Sequence, residues 1–148
     1  MIEFFVAGIP QSRGSKKSFP IKRANGSIGV AVTDNNPRSK PWMEQITYTA
    51  QREMRGLNLF MGSVRLDVQF IMPRPKSHYY GGKRKHIVRE DAPIQHISKP
   101  DRGKLLRAIE DALTGVVYRD DSQVSSGLVS KVYGEKPGVW IKINANNN

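Results

Sequence analysis

HISKPDRGKLLRAIEDALTGVVYRDDSQV, residues 96–124, is the stretch whose reading decides the fold. Lys99-Pro100-Asp101 makes a polar entry to a helix over Arg102–Leu113, in which Leu105, Leu106, Ile109, Ala112 and Leu113 recur at helical spacing and face a core. Thr114-Gly115 closes that helix, glycine being the usual residue just past a helix end. A short apolar run then delivers two adjacent aspartates, Asp120 and Asp121. One carboxylate thus stands at the helix start and two in the turn beyond its far end, where a chain folding back could unite them. Clustered carboxylates repel, each being driven towards its protonated form. A hard cation such as Mg²⁺, with Mn²⁺ as a substitute, relieves this by taking oxygen ligands. Two plainer readings stay open: Asp101 as a helix cap, worth about 1 kcal/mol, and Asp120-Asp121 as ordinary turn residues.

Outward from this stretch the pattern is that of one α+β domain. Ile2–Ala7 is an apolar strand stopped by Gly8 and Pro10. Residues 11–27 form a basic loop or hairpin, and Ile28–Thr33 a short strand. A helix is expected from Pro41 to about Arg55, with Trp42, Ile46, Thr49, Ala50 and Met54 on one face and proline tolerated in its first turn. Val64–Met72 alternates cleanly and is a half-buried strand. Residues 73–97 are the least regular segment. Two last strands, Leu128–Tyr133 and Val139–Ile143, flank the turn at 134–138, and residues 144–148 are expected to fray. The expected architecture is a small mixed sheet packed with two main helices.

Charge narrows the class. Lys and Arg number 24 against 13 Asp and Glu, a formal charge of +11 on 148 residues. A polyanion offsets such an excess, because each neutralised phosphate releases condensed counterions. Arg13, Lys16, Lys17, Arg74, Lys76, Lys83, Arg84, Lys85, Lys99 and Lys104 are the candidate DNA contacts. Tyr79 and Tyr80, interleaved with the basic residues of the second loop, suit unstacked bases. Cysteine is absent, which excludes disulfides, thiol catalysis and Cys-based zinc sites. MIEFFVAGIP lacks the basic start and long apolar run of a signal peptide, and no stretch is long enough to span a membrane. A cytoplasmic protein with no membrane partner is expected. Gly8-Ile9-Pro10 and Gly81-Gly82 do not make a phosphate-binding loop, so no nucleotide cofactor is expected. His78, His86 and His96 lack zinc spacing and read as solvated loop histidines, although His96, five residues before Asp101, is within reach of the site.

Lys-Pro-Asp, then Lys-Leu and a basic residue, Asp-Ala-Leu-Thr-Gly and Asp-Asp-x-Gln-Val together resemble the RusA family of Holliday junction resolvases, widespread in bacteriophages and prophages. The Gly-x-Pro after the first strand, the basic loop, the Pro-Trp helix and Met-Pro-Arg-Pro agree in order. The resemblance implies a homodimeric, Mg²⁺-dependent endonuclease making paired symmetric nicks in four-way and other branched DNA, encoded by a phage or prophage and acting in the bacterial cytoplasm. Position by position it makes Asp101 the first family aspartate and Asp121 the last, with Asp120 adjacent. Arg107 takes the place of a catalytic lysine, keeping the charge while giving up a removable proton, and Lys104 that of an asparagine. The family's second aspartate falls at Gly103, which offers no ligand. Glu110 and Asp111 are acidic substitutes in composition but lie later on the helix, and Asp111 is also placed to pair with Lys104. A binding protein that cuts weakly or not at all is the alternative, and a basic assembly protein a third.

Overall fold

The computed structural model describes residues 1–14, 16–34 and 36–146, with backbone only at Lys16, Lys17, Thr33 and Asp34. Seven strands and two helices follow in the order β1 (Ile2–Ala7), β2 (Lys16–Lys22), β3 (Ile28–Asp34), α1 (Ser39–Glu53), β4 (Val64–Met72), α2 (Arg102–Leu113), β5 (Val124–Ser126), β6 (Val129–Tyr133) and β7 (Gly138–Ala145).

The strand alternation builds a mixed sheet in the order β1-β7-β4, with β5 and β6 successively along the free edge of β4. β7 runs antiparallel to both neighbours, pairing Ile141 with Phe4 and with Val68. β5 and β6 run parallel to β4. One sheet face, Ile2, Phe4, Val6, Val64, Leu66, Val68, Phe70, Met72, Val139, Ile141 and Ile143, is buried. Both helices cover it: α1 with Trp42, Ile46 and Ala50, α2 with Leu105, Ala108, Ile109, Ala112 and Leu113. The Thr47 hydroxyl donates to the Ala112 carbonyl at 2.8 Å and ties the helices together.

β5 and β6 share one edge of β4 because the chain bends between them at Gly127. Its φ is +148°, and a Cβ there would collide with the Leu66 carbonyl. Only glycine adopts such a conformation without strain. Beyond the bend, the Leu128 carbonyl accepts from the Val68 N–H, and the Asp67 carboxylate accepts from the Leu128 N–H, both at 2.8 Å.

Several sequence boundaries move. α1 begins at Ser39, with Pro41 inside its first turn rather than at its start. β5 was not expected, since three residues are too few to show an alternation. β7 continues to Ala145, and the Asn146 amide donates to the Ser63 and Ser125 hydroxyls at 2.8 and 2.9 Å. The expected fraying therefore does not extend to residues 144–146; Asn147 and Asn148 lie outside the described residues. The first basic segment is a β2–β3 hairpin closed by the three-residue loop Ala24-Asn25-Gly26 between the bonded Arg23 and Ser27, with Gly26 in the left-handed region at φ +85°. The hairpin's Ile28, Val30 and Val32 are 78%, 67% and 62% exposed, so it stands clear of the core.

The second segment, read as the least regular, is held in place. Short 3-10 turns form at Lys76–His78 and Gly82–Arg84. The Tyr80 N–H donates to Ile87 and the Arg89 N–H to His78, at 3.0 and 2.8 Å. Further on, Gln95 bridges antiparallel to Val132 of β6. Tyr80, expected to be available to bases, carries the guanidinium of Arg84 3.8 Å and that of Arg89 5.6 Å from its ring centre.

Candidate active site

α2 organises the site, because the expected acidic residues sit at its two ends. At the C-terminal end, Thr114–Tyr118 forms a locked turn. The Gly115 N–H donates to Tyr118 at 2.7 Å, while the Tyr118 phenol and the Thr114 hydroxyl donate to the Glu110 carbonyl at 2.9 and 2.8 Å. Burial, and then the Glu110 carboxylate, push the Tyr118 phenol far above its ordinary value, so it stays a donor.

That turn presents Asp120 and Asp121 on a 3-10 turn, Asp121–Gln123. Asp120 accepts from the Ser122 N–H at 3.1 Å. In return, the Gln123 side-chain oxygen accepts from the Asp120 and Arg119 N–H groups at 3.0 and 2.8 Å. The same amide donates to the Phe60 and Gly62 carbonyls at 2.8 and 3.0 Å. Gln123 therefore pins the acidic turn to the loop ahead of β4. Its place in Asp-Asp-x-Gln was the available signal, but sequence reasoning assigned it no role.

Both aspartates face solvent. The Ser122 N–H and then the hydrogen bond from Asp121 hold Asp120 below the usual carboxylate value. Asp121 is held above it by that same bond to Asp120, by partial desolvation, and by the charges of Asp120 and Asp111. Glu110 is also raised, by burial and then by Asp121 and Asp111. Glu110 and Asp111 thus join the acidic pair and not Asp101. Asp111 pairs with Arg13, Nη1 to Oδ2 3.7 Å, and not with Lys104.

At the N-terminal end, Asp101 occupies the cap position, yet its side chain makes no capping hydrogen bond. Of the two plainer readings, the Asp101 cap is excluded, while Asp120 does serve as the cap of its own short turn. The approach to Asp101 is fixed by Lys131, whose ammonium donates to the Ser98 and Pro100 carbonyls, each at 2.9 Å. Lys131 was not anticipated, since a basic residue on a distant strand carries no local signal.

The structure does not bring Asp101 to Asp120-Asp121 within one chain. A twelve-residue helix is about 18 Å long, and it lies between them. Arg107 is exposed midway, one turn after Gly103 and one turn before Glu110 and Asp111, and makes no ion pair or hydrogen bond among the described residues. At Gly103 an added Cβ would meet nothing within 4 Å. Carboxylate oxygens suit a hard cation. Among the described residues, however, no three acidic or histidine side chains of one chain are grouped so as to hold one.

The expected DNA contacts divide. Lys76, Lys83, Arg84, Lys85, Lys99 and Lys104 are exposed. Arg74 is half-buried, donating to the Pro93 carbonyl at 2.7 Å with its guanidinium 5.3 Å from the Tyr133 ring centre. Arg13 turns inward to Met43 and Asp111. The side chains of Lys16 and Lys17 lie outside the described residues. His96 corrects the reading as a solvated histidine. It is 8% exposed, edge-on to Tyr133 at 4.9 Å, and its backbone N–H donates to the Lys131 carbonyl at 3.1 Å.

Compared with known proteins, the sequence matches the family model described as endodeoxyribonuclease RusA over residues 13–144. The chain belongs to the RusA family. RusA proteins are divalent-metal-dependent nucleases that act on branched DNA junctions, and the mixed α/β content of this chain fits that fold. A relative from Bacillus subtilis (strain 168), described as uncharacterized protein YqaN, is 32% identical over 143 residues, 96% of this chain and 94% of its own length. No helix among the described residues of this RusA protein is long and apolar enough to cross a membrane.

Proposed function

We propose that this protein resolves Holliday junctions and related branched DNA by paired symmetric nicks, as a homodimer using Mg²⁺ or Mn²⁺. The observation that carries the reading is the raised Asp121 carboxyl beside Asp120 and Asp111. It marks a crowd of negative charge that a divalent cation relieves. A bound cation there supplies charge neutralisation and activation of water. Asp120 and Asp121 would hold it, Gln123 keeps their backbone in place, and exposed Arg107 stabilises charge on the phosphate in the transition state. Water adds to phosphorus as the P–O3′ bond breaks. The exposed lysines and arginines carry the junction arms. Such a protein works in the bacterial cytoplasm, and a phage or prophage is its natural source.

Because α2 separates Asp101 from Asp121, a site using both draws one from each of two copies. Mixing Asp101→Asn with Asp121→Asn protein tests this on a synthetic four-way junction. Each variant alone is expected to lose cutting by a hundredfold or more, on the order of losing a metal-site group. The mixed dimer regains one intact site and nicks one strand. No rescue in a dimer shown to exchange subunits refutes the shared site. Tight junction binding with no cutting by the unaltered protein at any Mg²⁺ or Mn²⁺ concentration refutes the nuclease reading and leaves a binding protein.

A further inference from the structure

A cavity of about 550 Å³ opens at the N-terminal end of α2, away from the acidic pair. Its walls come from four separate segments: Ile9 to Ser12 after β1, Met72 and Pro73 at the end of β4, His96, and the stretch holding Lys99, Pro100, Asp101 and Lys104. The size lies within the roughly 300–1,000 Å³ of small-molecule sites. It exceeds what a single phosphate needs, and a duplex lying across the surface would not fill it.

The walls are of two kinds. Ile9, Pro10, Met72, Pro73 and Pro100 form an apolar lining of aliphatic, thioether and proline side chains. Lys99 and Lys104 stand with the α2 N-terminus, whose unpaired N–H groups and dipole favour an anion. A second, independent observation comes from His96. It lines the cavity and is only 8% exposed; its Nε2 lies 3.3 Å from the Ser98 hydroxyl, while its buried Nδ1 has no hydrogen-bond partner among the described residues. A polar atom buried without a partner is costly and calls for an explanation. Burial, and then the Lys131 charge, hold this imidazole below its ordinary value, so it is neutral at pH 7, with a donor and an acceptor nitrogen.

We propose that this cavity receives a single unstacked nucleotide from the centre of the branched DNA. The base lies against the proline and aliphatic lining and the His96 side chain, and the backbone phosphate stays at Lys99, Lys104 and the helix N-terminus. Branch points supply such nucleotides at the lowest cost, since their bases are already imperfectly stacked. Asp101 shares the wall, so the captured nucleotide sets which phosphodiester comes to the acidic groups. The cavity is then a specificity pocket. This inference rests on the branched-DNA reading.

The test places 2-aminopurine at successive positions around the branch of a four-way junction. The full-length protein is added in EDTA, so that nothing is cut. A severalfold rise in fluorescence is expected at one or two positions only, since the base leaves its neighbours in the stack for a mainly aliphatic lining. Two variants probe the pocket: His96→Phe, which keeps a ring against Tyr133 and removes the polar atoms, and Ser12→Trp, which fills the cavity. Both are checked for unchanged Tm, and each is compared at a protein concentration that saturates the junction. Ser12→Trp is expected to abolish the rise, His96→Phe to reduce it, and both to blur the cutting preference among positions. Junction binding with no position-specific rise, or a rise that survives Ser12→Trp in a folded protein, overturns the pocket and leaves the nuclease reading intact. Failure of the unaltered protein to bind the junction overturns both.

Discussion

The two ends of α2 carry the same type of side chain and treat it in opposite ways. At the C-terminal end Asp120 and Asp121 sit on a turn built from reciprocal hydrogen bonds, with Gln123 reaching across to Phe60 and Gly62. At the N-terminal end Asp101 has the cap position without the cap bond, among Lys99, Arg102 and Lys104 beside an open cavity. The first end is a rigid acidic mount. The second combines basic side chains with a free carboxylate, which suits a surface that meets a polyanion. One helix thus separates the groups that crowd negative charge from those that attract phosphate.

The largest effect that would break this contrast is loss of the mount. Gln123→Ala removes four hydrogen bonds at once. At about 1 kcal/mol net for a buried bond and less for exposed ones, the expected loss of stability is about 2 kcal/mol. Urea unfolding reads it directly. Cutting should fall at the same time, because Asp120 and Asp121 keep their carboxylates and lose their placement. A stable Gln123→Ala protein with full activity would show that the turn needs no mount.

Much of this was legible in the sequence, for reasons particular to each element. The alternation of Val64–Met72 and the periodic leucines of α2 are forced by burial on one side, so both elements stand where the pattern puts them. The Asp-Asp turn follows a glycine that ends the helix, which fixes its place at the far end of α2. What was not legible depends on long-range contacts. Lys131 lies thirty positions beyond the chain it staples, and Gln123 sixty beyond the loop it holds. His96 reads as a loop residue because it is buried by Tyr133 of β6, a strand nearly forty positions away. The separation of Asp101 from the acidic pair is a matter of helix length. It is countable in sequence once the helix is drawn straight, since twelve residues at about 1.5 Å each keep its two ends about 18 Å apart.

Gly103 offers a way to sharpen the contrast by making the N-terminal end acidic as well. The second position of α2 has space for a side chain, and its φ is not in the left-handed region. Aspartate is about 0.3 kcal/mol better than glycine in a helix, and a carboxylate in the first turn, which now has none, adds a few tenths more. Gly103→Asp is therefore expected to raise Tm by a few degrees. It restores a carboxylate one turn from Arg107, so junction cutting should rise, with tighter dependence on divalent metal. A higher Tm with unchanged cutting would mean that the site never lacked a ligand there.

The smallest effect is the most specific to the acidic end. Asp121 has a folded-state pKa above the ordinary 3.8, set first by its hydrogen bond to Asp120. The folded protein thus binds more protons than the unfolded chain between pH 3.8 and that raised value. Stability must fall as pH rises through this window, and the penalty is complete above it. Asp121→Asn removes the titrating group and keeps an N–H to donate to Asp120. The variant should match the unaltered protein below pH 3.8 and gain a small increment in Tm that levels off towards neutrality. Mg²⁺ should raise the Tm of the unaltered protein at pH 7.5 and not at pH 3.5, where the protonated carboxyl no longer repels its neighbours. A difference in Tm equally large at both pH values would show that Asp121 acts through its shape, not its charge, and the acidic end would then be structural.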